Sequence, residues 1–139
     1  RWTGSAWETS AIAPADHNYD MGSLYLDADV WRLIAPTDPG PQPYHAGGEM
    51  VLWESADQGR TWRRVAALTA GSETNHTYAR RPLGATAPFL AFWADGDPTR
   101  LTPSRLYISD GSGRHVWRLP YEMAGPEASL ELQAAPPGP

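Results

Sequence analysis

Hydrophobic residues along the chain come in short runs that are rich in Trp, Tyr, Val, Leu and Ile and are bounded by Gly, Pro, Asp and Ser. No stretch sustains a helical period, and runs of this kind are typical of short antiparallel strands. The pattern predicts about ten strands. A first pair, at residues 1–2 and 7–12, flanks a Thr3-Gly4-Ser5 turn. The other eight are predicted at residues 23–27, 30–36, 49–55, 61–68, 77–82, 89–95, 105–109 and 115–120.

The eight later strands form two groups of four that look like one unit used twice. Each group spans roughly 45 to 50 residues and ends in a hairpin whose turn carries Asp and Gly and whose last strand begins near a Trp. Repetition of four-stranded sheets at this period predicts a β-propeller. An immunoglobulin-like sandwich is an alternative of similar length, but the repeated hairpin favours the propeller.

The predicted fold class is therefore all-β, a propeller fragment of about two and a half four-stranded antiparallel blades. We assign residues 1–15 to a partial blade, 16–73 to a first full blade, 74–122 to a second, and 123–139 to a solvated Pro-rich tail. So few blades cannot close a ring, and residue 1 is Arg rather than Met. We expect a piece of a longer protein that needs its remaining blades as partners and dissolves poorly alone.

The composition argues against several classes of protein and of binding site. The 13 Gly and 14 Pro serve as turn residues between short strands, because seven Trp argue against disorder. A net charge of −5 argues against a nucleic-acid partner, and no apolar run is long enough for a membrane helix. The chain has no Cys, so a thiolate metal site is excluded. We predict no cofactor and no metal.

One hairpin carries a specific motif. Ser55-x-Asp57-x-Gly59-x-Thr61-Trp62 matches the Asp-box, also called the bacterial neuraminidase (BNR) repeat, at every defining position. Ser and Asp side chains can accept hydrogen bonds from turn N–H groups, and Gly supplies a positive φ. Asp57 is therefore predicted to brace a turn rather than to catalyse. A second, degenerate copy has Gly111 at the Asp position.

Histidine, tyrosine and arginine recur where one predicted blade meets the next. The candidate catalytic residues are His17, Tyr19, His76 and Tyr78, and the candidate substrate-binding residues are Asp20, His45, Arg80 and Arg81. Neutral His can take a proton near pH 7, Tyr can protonate a leaving oxygen, and Arg can pair with a carboxylate. These are the requirements of β-elimination on a uronic acid. The same residues could bind an acidic sugar without cleaving it.

Structural interpretations stand beside the functional ones. A single His in a strand-rich protein is more often a packing or surface residue than a catalytic one. Tyr19 and Tyr78 could be ordinary sheet aromatics, and Asp20 could form an Asx-turn. Arg80 and Arg81 are consecutive in a strand, so only one of them can face a central channel.

The chain resembles the BNR-repeat propellers grouped around bacterial polysaccharide-degrading enzymes. The resemblance covers about residues 1–125 and is carried by Trp2-Thr3-Gly4, His17-Asn18-Tyr19-Asp20-Met21-Gly22-Ser23, Gly47-Gly48-Glu49-Met50, the Asp-box, Asn75-His76-Thr77-Tyr78-Ala79-Arg80-Arg81-Pro82, Trp93-Ala94-Asp95-Gly96 and Trp117-Arg118-Leu119-Pro120. The group includes lyases acting on ulvan and related uronic-acid polysaccharides, and enzymes acting on rhamnose–glucuronate linkages. Sialidases are similar only distantly.

The resemblance implies a secreted or periplasmic enzyme whose channel-mouth site is built from His, Tyr and Arg and whose partner is an acidic polysaccharide. Our first hypothesis is a lyase with His17 or His76 as base, Tyr19 or Tyr78 as acid, and Arg80 or Arg81 as carboxylate clamp. A second is exo-glycoside hydrolysis by two carboxylates. The candidates for that pair are Asp20, Glu49 and Asp95. A third is a sugar-binding propeller without catalysis.

Overall fold

The computed structural model describes residues 1–15, 21–43, 47–86, 89–134 and 136. These residues form strands, turns and loops. They include no helix that is long and apolar enough to cross a membrane. The strands are β1 (Ser23–Leu26), β2 (Trp31–Pro36), β3 (Met50–Ser55), β4 (Arg63–Ala67), β5 (Asn75–His76), β6 (Phe89–Gly96), β7 (Leu106–Asp110), β8 (Val116–Arg118) and β9 (Glu131–Leu132).

The strands build two antiparallel sheets in simple chain order. Sheet one runs β1-β2-β3-β4 and sheet two runs β5-β6-β7-β8-β9, so each strand pairs with its neighbour along the chain. All of sheet one precedes all of sheet two. The prediction of an all-β, antiparallel fold is confirmed.

One face of each sheet packs against the other and forms the core. Ile34, Met50 and Leu52 of sheet one lie in one cluster with Trp93 and Val116 of sheet two, all buried. Two hydrogen bonds join the sheets at the rim of this cluster. The Ser23 hydroxyl donates to the Ala79 carbonyl at 2.8 Å, and the Tyr25 hydroxyl donates to the Leu90 carbonyl at 2.7 Å.

The outer faces of both sheets are apolar as well. On sheet one, Leu24 pairs with Leu33, and Leu24 is 48 % exposed. On sheet two, Ile108 pairs with Trp117, which in turn pairs with Leu132. An antiparallel sheet with one solvated face normally alternates apolar-in and polar-out. This pattern is instead that of a sheet covered on both faces.

The predicted strands and the observed ones differ in three places. Residues 1–12 make a single bridge, between Trp2 and Trp7, rather than two strands; the predicted turn is present, with Gly4 at a φ of 103°. β5 is shorter than the predicted strand 77–82 and starts earlier, because the pairing with β6 shifts by one residue after His76: His76 pairs with Asp95, whereas Arg80 pairs with Phe92. β9 was not predicted, since only two residues of a Gly- and Pro-containing segment pair with β8.

The Asp-box residues close the turn between β3 and β4. The Asp57 carboxylate accepts from the Thr61 backbone N–H at 2.9 Å and from the Thr61 hydroxyl at 2.6 Å, and the Ser55 hydroxyl accepts from the Gly59 N–H at 2.7 Å. Gly59 has a φ of 85°, and the Trp62 indole N–H donates to its carbonyl at 3.2 Å. The bonds from Thr61 lower the pKa of Asp57 far below its usual value, so this carboxylate stays ionised and engaged in the turn.

The turn between β7 and β8 is also braced by a carboxylate, but with different hydrogen-bond partners. Asp110, one residue before the position expected from the motif, accepts from the Ser112 hydroxyl at 2.8 Å, and its other oxygen lies 2.7 Å from His115 Nδ1. His115 thus occupies the place that Thr61 has in the first turn. Burial raises the pKa of Asp110, but these hydrogen bonds outweigh it and the pKa lies below its usual value.

Replacing Ser55 by Ala tests the first turn. Ser55 is buried, and its hydroxyl holds both Gly59 and Asp57, so Ser55→Ala is expected to destabilise the protein by about 1 kcal/mol. The matched control is Ser109→Ala, at the corresponding position of sheet two. The Ser109 hydroxyl is buried and has no hydrogen-bond partner among the described residues, so its removal is expected to be neutral or stabilising. Urea unfolding followed by circular dichroism compares the two, and equal losses would contradict this assignment.

Candidate functional site

Residues 77–82, here called the arginine segment, continue from β5 along the side of β6. The Thr77 N–H donates to the Ala94 carbonyl at 2.9 Å, and Arg80 exchanges two backbone hydrogen bonds with Phe92 at 2.7 and 2.8 Å. This extended backbone makes successive side chains alternate. Ala79 is buried in the core, so its neighbours Tyr78 and Arg80 project away from the core.

The two arginines of this segment lie on opposite sides of it. The Arg80 guanidinium lies over the Tyr78 ring, 4.3 Å from the centroid, and the Arg81 guanidinium lies over the Tyr25 ring of β1 at 5.5 Å. A cation above an aromatic face is attracted by the negative charge density of the ring. The aromatic rings therefore favour these positions of the two guanidinium groups.

Both guanidinium groups are exposed and lack a carboxylate partner in the described part of the chain, since no described carboxylate is within ion-pair distance of Arg80 or Arg81. All eleven arginines lie in the described part of the chain, and six of them pair with a described carboxylate: Arg1, Arg32, Arg63, Arg64, Arg100 and Arg118. Arg60, Arg105 and Arg114, like Arg80 and Arg81, have no such partner among the described residues. A guanidinium that the protein leaves without a carboxylate can accept one from a ligand.

His76 belongs to a polar chain of hydrogen-bonded side chains that comprises Trp93 and His76, which are buried, and Ser72 and Glu49, which are half-buried. His76 is 1 % exposed. The Trp93 indole N–H points to His76 Nδ1 at 3.2 Å, His76 Nε2 lies 2.9 Å from the Ser72 hydroxyl, and that hydroxyl lies 2.8 Å from Glu49 Oε2. Because an indole can only donate, Nδ1 accepts and Nε2 carries the proton. The Ser72 hydroxyl then accepts from His76 and donates to Glu49.

This arrangement leaves His76 no free lone pair with which to take a proton from a substrate. Burial lowers the pKa of His76, against the opposing effect of the Glu49 and Asp95 charges, and so favours the neutral ring. The tautomer is also the reverse of the one that activates a serine, since Nε2 donates to Ser72 instead of accepting from it. His76 is placed to hold structure together rather than to act as the base.

The two carboxylates considered for hydrolysis are likewise held by the protein. Glu49 accepts from the Thr69 hydroxyl at 2.6 Å and from the Ser72 N–H at 2.9 Å; burial raises its pKa, but these donors prevail and lower it. Asp95 accepts from the Tyr107 hydroxyl at 2.8 Å and from a backbone N–H. Neither carboxylate has the free, open position of a general acid.

The remaining sequence-predicted site residues, His17, Tyr19, Asp20 and His45, lie outside the described residues. Among those described, no group of three or more His, Asp or Glu side chains could hold a metal ion. Three participants were not singled out from sequence: Tyr25, Ser72 and the indole N–H of Trp93. Only Trp93 had a sequence signal, because it belongs to the Trp93-Ala94-Asp95-Gly96 block of the resemblance.

Comparison of the chain with protein-family models, with curated proteins and with solved structures gives no match. The functional argument therefore depends on the geometry of the arginine segment and its surroundings.

Proposed function

We propose that the chain is part of a carbohydrate-active β-propeller. Three features support this fold. The two sheets are consecutive meanders, whereas the strands of an immunoglobulin-like sandwich interleave between its sheets. Both sheets carry a carboxylate-braced turn between their third and fourth strands. Both outer faces are apolar, as expected of blades that lie between neighbouring blades.

The proposed ligand is an acidic, uronic-acid-containing polysaccharide. The observation that carries this proposal is the exposed Arg80 guanidinium, seated over Tyr78 and without a described carboxylate partner. A planar guanidinium matches the two oxygens of a uronate, and a neighbouring aromatic side chain offers an apolar surface to a sugar ring. Arg81, which lies over Tyr25, supplies a second anion-binding position on the other side of the arginine segment.

For the reaction we propose β-elimination in the complete protein. Pairing of Arg80 with the uronate would lower the charge that opposes removal of the C5 proton. The base would come from His17 or His45, since both His76 nitrogens are occupied, and the acid would be Tyr19 or Tyr78. The occupied His76 also favours a second candidate, a propeller that binds the same polysaccharide without cleaving it.

Substituting Arg80 tests the binding proposal. Arg80→Ala is expected to weaken binding of a hexameric oligogalacturonide about tenfold or more, because a hydrogen bond to a charged group contributes about 1.5–3 kcal/mol. Arg80→Lys should be intermediate, since it keeps the charge but loses the fork. The matched control is Arg114→Ala, an exposed arginine outside the segment. Isothermal titration calorimetry measures all three; an unchanged affinity in Arg80→Ala would reject the site.

The same samples, incubated with ulvan, pectic and arabinogalactan substrates, separate the two candidate functions. β-Elimination forms an unsaturated uronate that absorbs in the ultraviolet. Binding without new absorbance on any of these substrates would reject the lyase and leave the binding propeller.

A further inference from the structure

We propose that the polar chain of Trp93, His76, Ser72 and Glu49 is a proton-sensitive latch, which positions the arginine segment and makes binding of the acidic saccharide weaken in acid. The inference rests on the proposed function for its ligand. In it His76 is a positioning residue, not a catalytic one, because it acts on the ligand through Tyr78 and Arg80.

The latch spans both sheets. Trp93 belongs to β6 and His76 to β5, whereas Glu49 directly precedes β3 of sheet one, and Ser72 lies in the connection between the sheets. The His76 backbone N–H adds a further bond to the Gly47 carbonyl at 3.1 Å. The polar chain therefore ties the beginning of sheet two to sheet one at a point only two residues before Tyr78.

Protonation of His76 would break the latch at its deepest point. The added proton must go on Nδ1, since Nε2 already carries one. Nδ1–H would then face the Trp93 indole N–H, and two donors cannot share a hydrogen bond. Trp93 cannot simply turn away, because it is 1 % exposed and its ring is stacked on Tyr107, with centroids 5.6 Å apart and an interplanar angle of 11°.

The charged and titratable groups around His76 do not remove this conflict. Glu49 lies 3.9 Å from Nε2, on the side opposite the indole. Asp95 is paired with His76 across β5 and β6, but its carboxylate is engaged with the Tyr107 hydroxyl and the Arg105 N–H. The Tyr107 ring meets the His76 ring edge-on at 5.4 Å. Both carboxylates favour a charged His76, yet burial prevails and its pKa stays below the ordinary value.

The sign of the pH effect follows from that lowered pKa. Above about pH 6.5, the ordinary value, His76 is neutral in both the latched and the unlatched protein, and the latch is complete. As the pH falls below that value, the unlatched form binds the proton first and is favoured, about tenfold for each pH unit at most. Glu49 and Asp110, whose pKa values are lowered, titrate only in stronger acid.

The proposal can be tested first on the wild-type protein. Long-range nitrogen–proton NMR correlations of the histidine rings at pH 7.5 should show one buried imidazole protonated on Nε2 and bare on Nδ1. A protonated Nδ1 in that ring would overturn the proposal before any variant is made.

Binding and stability are then measured from pH 7.5 to pH 5 with the hexameric oligogalacturonide as probe. In the wild type we expect the affinity and the urea midpoint to fall together, the affinity by about tenfold. His76→Gln should keep its pH 7.5 affinity down to pH 5, even if its midpoint is lower throughout. The control His115→Gln removes a histidine outside the polar chain and should still lose affinity in acid.

A second variant covers the case in which His76→Gln fails to fold. Trp93→Phe removes the indole N–H but keeps an aromatic ring, so protonated Nδ1 no longer meets a donor and the acid loss should shrink. An acid loss of affinity that persists unchanged in His76→Gln or Trp93→Phe would overturn the latch. If the midpoint falls as expected but no oligogalacturonide binds at any pH, the proposed function fails while the latch between the sheets stands.

Discussion

Replacing Trp93 by Ala is expected to destabilise the protein by about 3–5 kcal/mol, a large fraction of the roughly 5–15 kcal/mol by which a typical domain is stable. Trp93 is the largest fully buried side chain among the described residues. Its removal leaves a cavity between the sheets, unstacks Tyr107 and takes the donor from His76. Urea titration followed by circular dichroism and near-ultraviolet signals would measure the loss.

The control for this prediction is another tryptophan in the same chain. Trp7 is 74 % exposed and touches Trp2 at a ring distance of 5.6 Å, so Trp7→Ala removes an aromatic group of equal size without opening the core. We expect its effect on unfolding to stay within about 1 kcal/mol. Equal losses in the two variants would mean that Trp93 does not hold the sheets together.

Replacing Gly48 by Ala is the second change with a large expected effect. Gly48 is buried and its N–H donates to the Asp38 carbonyl at 2.9 Å. A methyl group at this position would overlap the carbonyl oxygens of Thr37 and Asp38, and backbone atoms cannot move aside as a flexible side chain can. We expect a loss of about 3 kcal/mol, at the upper end of the usual range for overpacking.

Gly125→Ala is the matched substitution for Gly48→Ala. No atom lies within 4 Å of the added methyl group at Gly125, so its thermal and urea midpoints should remain at the wild-type values. The clash at Gly48 would also displace Glu49 and therefore the latch. A Gly48→Ala protein with an unchanged midpoint and unchanged pH dependence would show that the close approach of residues 37–38 and 48 is not required.

The strands of this fold follow from local properties of the sequence. Short apolar runs between turn residues place β1–β4 and β6–β8 to within a few residues, and the Asp-box fixes the turn before Arg63. β9 could not be predicted in this way, because two residues are too few to show an alternation of apolar and polar positions. β5 ends early because its pairing with β6 shifts by one residue between His76 and Arg80, and no local pattern in the sequence marks that shift.

For the candidate site, only the features that depend on residues adjacent in sequence could be predicted. The alternation of Arg80 and Arg81 follows from extended backbone, and the structure places them on opposite sides as that rule requires. The state of His76 could not be predicted, because it depends on an indole 17 residues later and on a serine whose partner, Glu49, is 23 residues before it. Neither separation leaves a periodic signal in the sequence.

The two-residue strand β9 affects how this protein would aggregate. It covers the outer edge of β8 through backbone pairing and an ion pair between Arg118 and Glu131, and the residues on its N-terminal side, 121–130, are all exposed. A cover this short opens far more often than the whole fold does. Each opening presents the unpaired N–H and C=O groups of β8 as a template for a foreign strand. A local opening of β9 would therefore expose an edge to aggregation while the remaining strands of both sheets stay folded.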